Sequence, residues 1–149
     1  MKKTYNQRAL PAGRQGFTLF ELLVSISIIA ILTAIASMSF SGAQKKARDS
    51  RRISDMNSVQ KAAEQFYSFN NYSYPPSITT PWTTVNGQTV LDVFPADPKG
   101  VGWTAYTFNV GATYCACATL ESATGNSNTN TCAAFVNGTG TMYCVKNQQ

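Results

Sequence analysis

Gly16-Phe17-Thr18-Leu19-Phe20-Glu21-Leu22-Leu23-Val24 opens a stretch that continues to Phe40 with Glu21 as its only ionisable residue. About 20 apolar residues span the ~30 Å hydrocarbon core of a bilayer as a helix, so residues 17–40 are long enough to cross one. A secretory signal is built differently, with an apolar stretch of ~7–15 residues that ends in its cleavage site. Here the small residue suited to cleavage, Gly16, stands before the apolar run. Four cations, Lys2, Lys3, Arg8 and Arg14, precede that glycine. Positive charge is retained on the cytoplasmic side, so the amino end stays inside and the remainder is exported.

Glu21 needs a reason to be where it is. A carboxylate inside a membrane segment costs roughly 3 kcal/mol on insertion scales and marks a functional site by default. The next cation along the chain is Lys45. Its partners are then water and headgroups at the interface, or a positive group from another chain. Cleavage after Gly16 would free the amine of Phe17, a cation that could meet Glu21 of a neighbouring subunit. Such a pair would set register, though a buried ion pair brings no assured net stability.

Past the apolar run the chain reads as an extracytoplasmic domain. With 149 residues there is room for one modest domain and an appendage. The net charge of +5 lies largely in the leader, which leaves eight basic against seven acidic residues after Gly16. Lys45, Lys46, Arg48, Arg51 and Arg52 follow the apolar run directly, and the plain reading is a solvated helix face beside a membrane. Nucleic acid is not expected as a partner. Histidine is absent and acids are few. The commonest general base and the commonest nitrogen metal ligand are therefore missing. No acid, base and nucleophile constellation points to an enzyme, and no cofactor is expected.

Residues 43–70 contain no proline and carry Ile53, Met56, Val59, Ala63 and Phe66 at the spacing of an amphipathic helix. One helix of about fifty residues follows, its first half in membrane or filament and its second covering a sheet. Arg51 and Asp55 sit four apart on it, as a surface pair. Pro75 and Pro76 stop the helix. The later signals are all β: residues 89–94, 103–110 and 114–120, with Tyr114, Ala116, Ala118 and Leu120 alternating with Cys115, Cys117 and Thr119. A last hairpin is expected to pair residues 135–136 with 141–146 across a turn at Asn137-Gly138. Residues 121–131 read as an exposed polar loop.

All four cysteines, Cys115, Cys117, Cys132 and Cys144, lie in the last quarter of the chain. An even number in an exported domain favours disulfides, with free thiols and a metal site as rivals. Cys-x-Cys without a second close pair or a histidine is a poor zinc pattern, so no metal is expected. Cys115 and Cys117 share a strand face, from which one would reach Cys144 and the other Cys132, with the connectivity open.

The run from Gly16 to Val24 resembles the prepilin motif of type IV pilins and type II secretion pseudopilins. It combines a short basic leader, a glycine, a glutamate at the fifth residue after it, and about 20 apolar residues. The resemblance implies that a membrane prepilin peptidase cuts between Gly16 and Phe17 and methylates the Phe17 amine, and that Glu21 reads the neighbour's terminus during assembly. Ala47-Arg48-Asp49, Arg52-Ile53-Ser54-Asp55, the Asn-x-x-Ser-Tyr-Pro ending of the helix and Asp97-Pro98-Lys99-Gly100 are similar to the major pseudopilin. The expected fold is then α+β and pilin-like: leader 1–16, removed; membrane and filament-core helix 17–42; amphipathic helix 43–70; loop and antiparallel sheet 71–149.

The chain departs from many relatives in lacking a helix-breaking proline near the far end of the apolar segment, where it has Ser39, Ser41 and Gly42. Some major pseudopilins also bind calcium through acidic ligands in a carboxy-terminal loop. This chain has no acid after Glu121 and is not expected to do so.

The implied protein is a homo-oligomeric subunit of a helical filament, a type IV pilus or a pseudopilus serving protein transport. It begins as a single-pass inner-membrane protein with its amino terminus in the cytoplasm. The implied partners are the prepilin peptidase, a polytopic platform protein, an assembly ATPase and minor pilins. The alternative is a minor pilin that binds DNA or an adhesive ligand, for which Trp82 and Trp103 are the candidate aromatic platform.

Overall fold

The structure is a computed structural model. It describes residues 16–122, 124–133 and 135–149, apart from the side chains of Met38, Ser39 and Asn137. The leader cations Lys2, Lys3, Arg8 and Arg14 lie outside the described residues. One long helix, α1 (Leu19–Phe69), is followed by seven strands: β1 (Trp82–Thr83), β2 (Thr89–Leu91), β3 (Thr107–Val110), β4 (Tyr114–Thr119), β5 (Gly125–Ser127), β6 (Phe135–Gly140) and β7 (Met142–Lys146). This is the expected α+β arrangement of a single long helix and an antiparallel sheet. The chain divides between Ser39 and Phe40 into two compact units.

The described part of the first unit is residues 16–39, mostly the apolar part of α1. Its large side chains are exposed, Phe17 at 85%, Ile31 at 62% and Leu32 at 61% among them, and its most apolar 18-residue window has a mean hydropathy of 2.5. The polar side chains within it bond back to helix carbonyls four residues earlier. Ser25 donates to Glu21 (2.7 Å), Ser27 to Leu23 (2.8 Å), Thr33 to Ile29 (2.9 Å) and Ser37 to Thr33 (2.8 Å). Hydroxyls satisfied in this way can enter hydrocarbon without an orphaned donor.

In the second unit α1 packs one stripe on the sheet. Met56, Val59, Ala62, Ala63 and Phe66 are buried against Tyr106, Tyr114, Ala116, Ala118 and Val145, with Tyr74 and Trp82 completing the core. The helix ends at Phe69, with Asn71 and Tyr72 at positive φ (52° and 57°). The Tyr72 amide donates to the Tyr67 carbonyl (3.1 Å). This is a left-handed C-cap in which asparagine takes the usual place of glycine. The main sheet runs β3-β4-β7-β5-β6 and is antiparallel throughout. Alternation along β4 sends Tyr114, Ala116 and Ala118 to the helix and Cys115 and Cys117 to the opposite face. There the two cysteines cluster with Cys144 and the half-buried Cys132 and Met142.

The carboxy-terminal hairpin is a correction. β6 and β7 are consecutive but not paired, because β5 lies between them. Asn137-Gly138 consequently lies inside β6 and not at a turn. The segment expected to be an exposed loop supplies β5, in which Gly125 and Ser127 are buried. Two local features make this possible. Gly125 pairs with Gly140, and a Cβ on Gly125 would collide with the Met142 carbonyl, one on Gly140 with the Ser127 backbone. Asn126 acts as an extra peptide group, donating from Nδ2 to the Cys144 carbonyl (2.9 Å) and accepting the Cys144 amide at Oδ1 (2.7 Å).

Two further strands are shorter than their apolar patterns indicate. β2 stops at Leu91, and the Phe94 amide goes instead to the Thr80 hydroxyl (3.2 Å). β3 starts only at Thr107, because Gly100 and Gly102 at positive φ (71° and 92°) hold the preceding chain in turns. The Trp103 amide closes one of these turns on the Gly100 carbonyl (3.3 Å).

Candidate functional site

The amino-terminal site is built on the first turn of α1. Gly16 has no neighbour within contact distance of a Cβ position, and Phe17 is exposed. Thr18 is the N-cap. Its amide and hydroxyl both donate to Glu21 Oε2 (2.9 and 2.8 Å), while the Glu21 amide donates back to Thr18 Oγ1 (3.2 Å). This is a reciprocal capping box. The carboxylate is thereby held against the positive end of the helix. Within a single chain Glu21 thus has partners of its own. Thr18 was not singled out from the sequence, although Thr-x-x-Glu ahead of an apolar run is the signal for such a box.

A second constellation joins α1 to the loops of the sheet. Arg52 is fully buried and grips three carboxylates. It makes a two-pronged contact with Asp97 (2.6 and 2.9 Å), and its Nη1 donates to Asp49 Oδ1 (2.7 Å) and Glu121 Oε1 (2.9 Å). Arg48 forms its own fork on Glu121 (2.6 and 2.8 Å), and Lys99 Nζ stands 3.6 Å from the same carboxylate. Asp49 also accepts the amides of Glu121 (2.9 Å) and Ser122 (3.0 Å). The reading of all five juxtamembrane cations as a solvated face is therefore corrected for Arg52 and Arg48. Arg52 stands four residues before Met56 and extends the buried stripe by one turn, so the helical spacing contained the clue.

The electrostatics of this network follow from its geometry. The Arg48 fork, with Arg52 and Lys99 nearby, holds the Glu121 carboxyl far below its ordinary range against the opposing effect of burial. Burial alone would raise Asp49 and Asp97. Hydrogen bonds from Ser122, the Glu121 amide and Arg52 to Asp49, and from Arg52 and the Lys99 amide to Asp97, outweigh it and lower both. Two of the cations stand near Trp103, with Lys99 Nζ 3.9 Å and Arg52 Cζ 5.1 Å from its ring centre. Trp82 is buried at 2% exposure. Neither tryptophan is a free aromatic platform.

Tyrosine hydroxyls fasten the rest of the helix to the sheet. Tyr106 donates to Asp55 (2.8 Å), Tyr114 to Glu64 (3.1 Å) and Tyr143 to Asn57 (3.2 Å). Burial, reinforced by the acceptor carboxylates, pushes Tyr106 and Tyr114 well above the ordinary phenol value of 10.0. Asp55 is taken up by Tyr106, and Arg51 makes no ion pair among the described residues.

The four cysteines are joined as Cys115–Cys132 and Cys117–Cys144. Their sulfurs lie within 4.8 Å of one another, close enough for a metal centre. A metal ligand must be a thiolate, however, and all four sulfurs are committed to S–S bonds. Cys115–Cys132 ties the segment before β6 to the sheet face turned away from α1, and Cys117–Cys144 staples the paired strands β4 and β7 on that same face.

A capped, exposed apolar helix behind a Gly-Phe junction, leading into a small α+β domain with two disulfides, defines a pilin-like protein. The family model described as the prokaryotic N-terminal methylation motif matches residues 11–37. The chain is 27% identical over 99 residues to the type II secretion system core protein G of Escherichia coli, covering 58% of this chain and 68% of that one. It is 42% identical over 60 residues to the type IV wide pilus major component PilA4 of Thermus thermophilus, covering 40% of this chain and 45% of that one. The chain thus spans about two thirds of the first relative and less than half of the second. It carries the methylation motif and is similar to a type II secretion core protein and to a type IV pilus component. No solved structure matches it. The motif implies processing by a prepilin peptidase.

Proposed function

We infer that the chain is the precursor of a filament subunit, cut between Gly16 and Phe17 by a prepilin peptidase and methylated on the new Phe17 amine. The observation that carries this reading is the exposed apolar helix that begins just after Gly16, with its acid at the fifth following residue. Residues 1–16 are the leader, and 17–42 lie in the inner membrane and then in the filament core. Residues 43–70 continue as the amphipathic helix of an extracytoplasmic domain that occupies 71–149. Glu21 begins in its own capping box and turns to the Phe17 amine of the next subunit on assembly. Both partners then keep a counter-charge as the helix leaves the bilayer. A platform protein and an assembly ATPase drive the transfer, and minor pilins complete the fibre. A type II pseudopilus or a type IV pilus both fit this mechanism.

Co-expression with a prepilin peptidase tests the cut. Mass spectrometry should find a chain shortened by residues 1–16 and a methylated Phe17; an uncut chain, or a cut elsewhere, ends the proposal. Glu21→Ala should leave processing and membrane level unchanged while filaments disappear from electron micrographs, and normal filaments from this variant would remove Glu21 from assembly.

A further inference from the structure

Five cations crowd residues 45–52, and the structure separates them. Arg52 is buried and Arg48 half-buried, and both are matched by carboxylates of Asp49, Asp97 and Glu121. Lys45, Lys46 and Arg51 are exposed, and among the described residues their side chains have neither an ion pair nor a hydrogen bond. These three are therefore unneutralised, directly after a segment long enough to span a membrane. On the reading above they emerge on the extracytoplasmic side, against the usual bias of lysine and arginine toward the cytoplasm. That placement leaves them open to an external anion, since no carboxylate among the described residues pairs with them.

The geometry selects the anion. At 1.5 Å per residue, Lys45 stands about 7.5 Å beyond Phe40 along the helix, and Arg51 about 16 Å. The polar headgroup layer on each side of the hydrocarbon is ~5–8 Å deep, so Lys45 and Lys46 fall at its outer edge. Helical side chains lean toward the amino end, here toward the bilayer, and long basic side chains extend further that way. A stripe for a duplex would call for phosphate contacts along one face. Here Lys46 and Arg51 stand on different sides of α1, as suits a helix ringed by lipid.

We propose that Lys45 and Lys46, with Arg51 drawing anions from just outside the headgroup layer, form a collar that binds the phosphates of anionic phospholipids in the extracytoplasmic leaflet. The collar holds the subunit at the interface until it is extracted, while the pairing of Arg48 and Arg52 with carboxylates reserves those two for the fold. This rests on the membrane reading of residues 17–42.

The test uses the full chain in vesicles of equimolar phosphatidylcholine and phosphatidylglycerol containing trace spin-labelled lipid of either kind. The motionally restricted lipid around the protein should prefer phosphatidylglycerol by about threefold at low salt and lose that preference at high salt. The variant Lys45→Gln/Lys46→Gln/Arg51→Gln should show no preference, whereas Lys61→Gln, at another exposed cation, should keep it. A restricted population without headgroup preference in the wild type overturns the collar alone. The absence of any restricted population overturns the membrane reading and the collar with it. Equal lipid preference combined with tight binding of a short DNA duplex through these three residues would overturn the collar in favour of nucleic acid.

Discussion

Arg52 shows how one side chain can join separate parts of a chain. It stands on the helix yet meets Asp97 from the loop before β3 and Glu121 from the segment after β4, while Asp49 alone is a helical neighbour. Exposed ion pairs contribute little. A buried charge stripped of its partners is another matter, because the charges left behind are desolvated without compensation. Arg52→Met should therefore destabilise the domain by about 3–5 kcal/mol despite preserving apolar volume. Urea denaturation in detergent, followed by tryptophan fluorescence with each variant referred to its own folded and unfolded baselines, measures this; a loss below about 1 kcal/mol would mean that the carboxylates rehydrate freely. Residue-level legibility was uneven in a way that has a cause. Glu21 stood out because a lone acid in an apolar run has no local explanation. Arg52 did not, because its three carboxylates are dispersed along the sequence and it was masked by four neighbouring cations.

The same contrast holds among elements. The helix was legible from end to end, since its apolar stripe, missing prolines and terminal Pro-Pro are all local signals. β4 was legible because alternation is local too. The order of the last three strands was not, because β5 is a short segment of glycine, asparagine and serine with none of the branched or aromatic residues that announce a strand. It is specified by what its residues lack: Gly125 lies so close to the Met142 carbonyl, and Gly140 so close to the Ser127 backbone, that neither tolerates a Cβ. Gly140→Ala should then displace β5 and cost about 1–3 kcal/mol, as overpacking does elsewhere. Hydrogen exchange should show the Asn126–Cys144 amide pair opening first, with the amides of β3 and β4 still protected. Unchanged protection along β5 would show that the strands can shift apart to accommodate the methyl.

At the scale of the whole molecule, the ionisable groups that fasten α1 to the sheet define a pH window for stability. Glu121, Asp49 and Asp97 have pKa values lowered in the fold from ordinary values of 4.5, 3.8 and 3.8. Their contribution is complete above those values and is lost as pH falls below about 4, where the unfolded chain takes up protons that the folded chain refuses. Tyr106 and Tyr114 act in the opposite sense. Their pKa values are raised from 10.0, so their contribution is complete below pH 10 and is lost above it, as the unfolded chain ionises first. The urea midpoint of the disulfide-intact protein should be flat between about pH 5 and 9 and fall at both ends. Moderate salt should leave the plateau unchanged, because the Arg52 network is shielded from solvent ions. The two limbs have separate origins and should separate on mutation. Arg52→Met removes the main support of the Asp97 carboxylate but leaves Glu121 to Arg48 and Asp49 to Ser122 and the Glu121 amide, so its acid limb should become shallower while its alkaline limb remains. An unaltered acid limb in that variant would assign acid sensitivity to carboxylates that Arg52 does not hold, and would leave Arg52 as a packing residue with a charge.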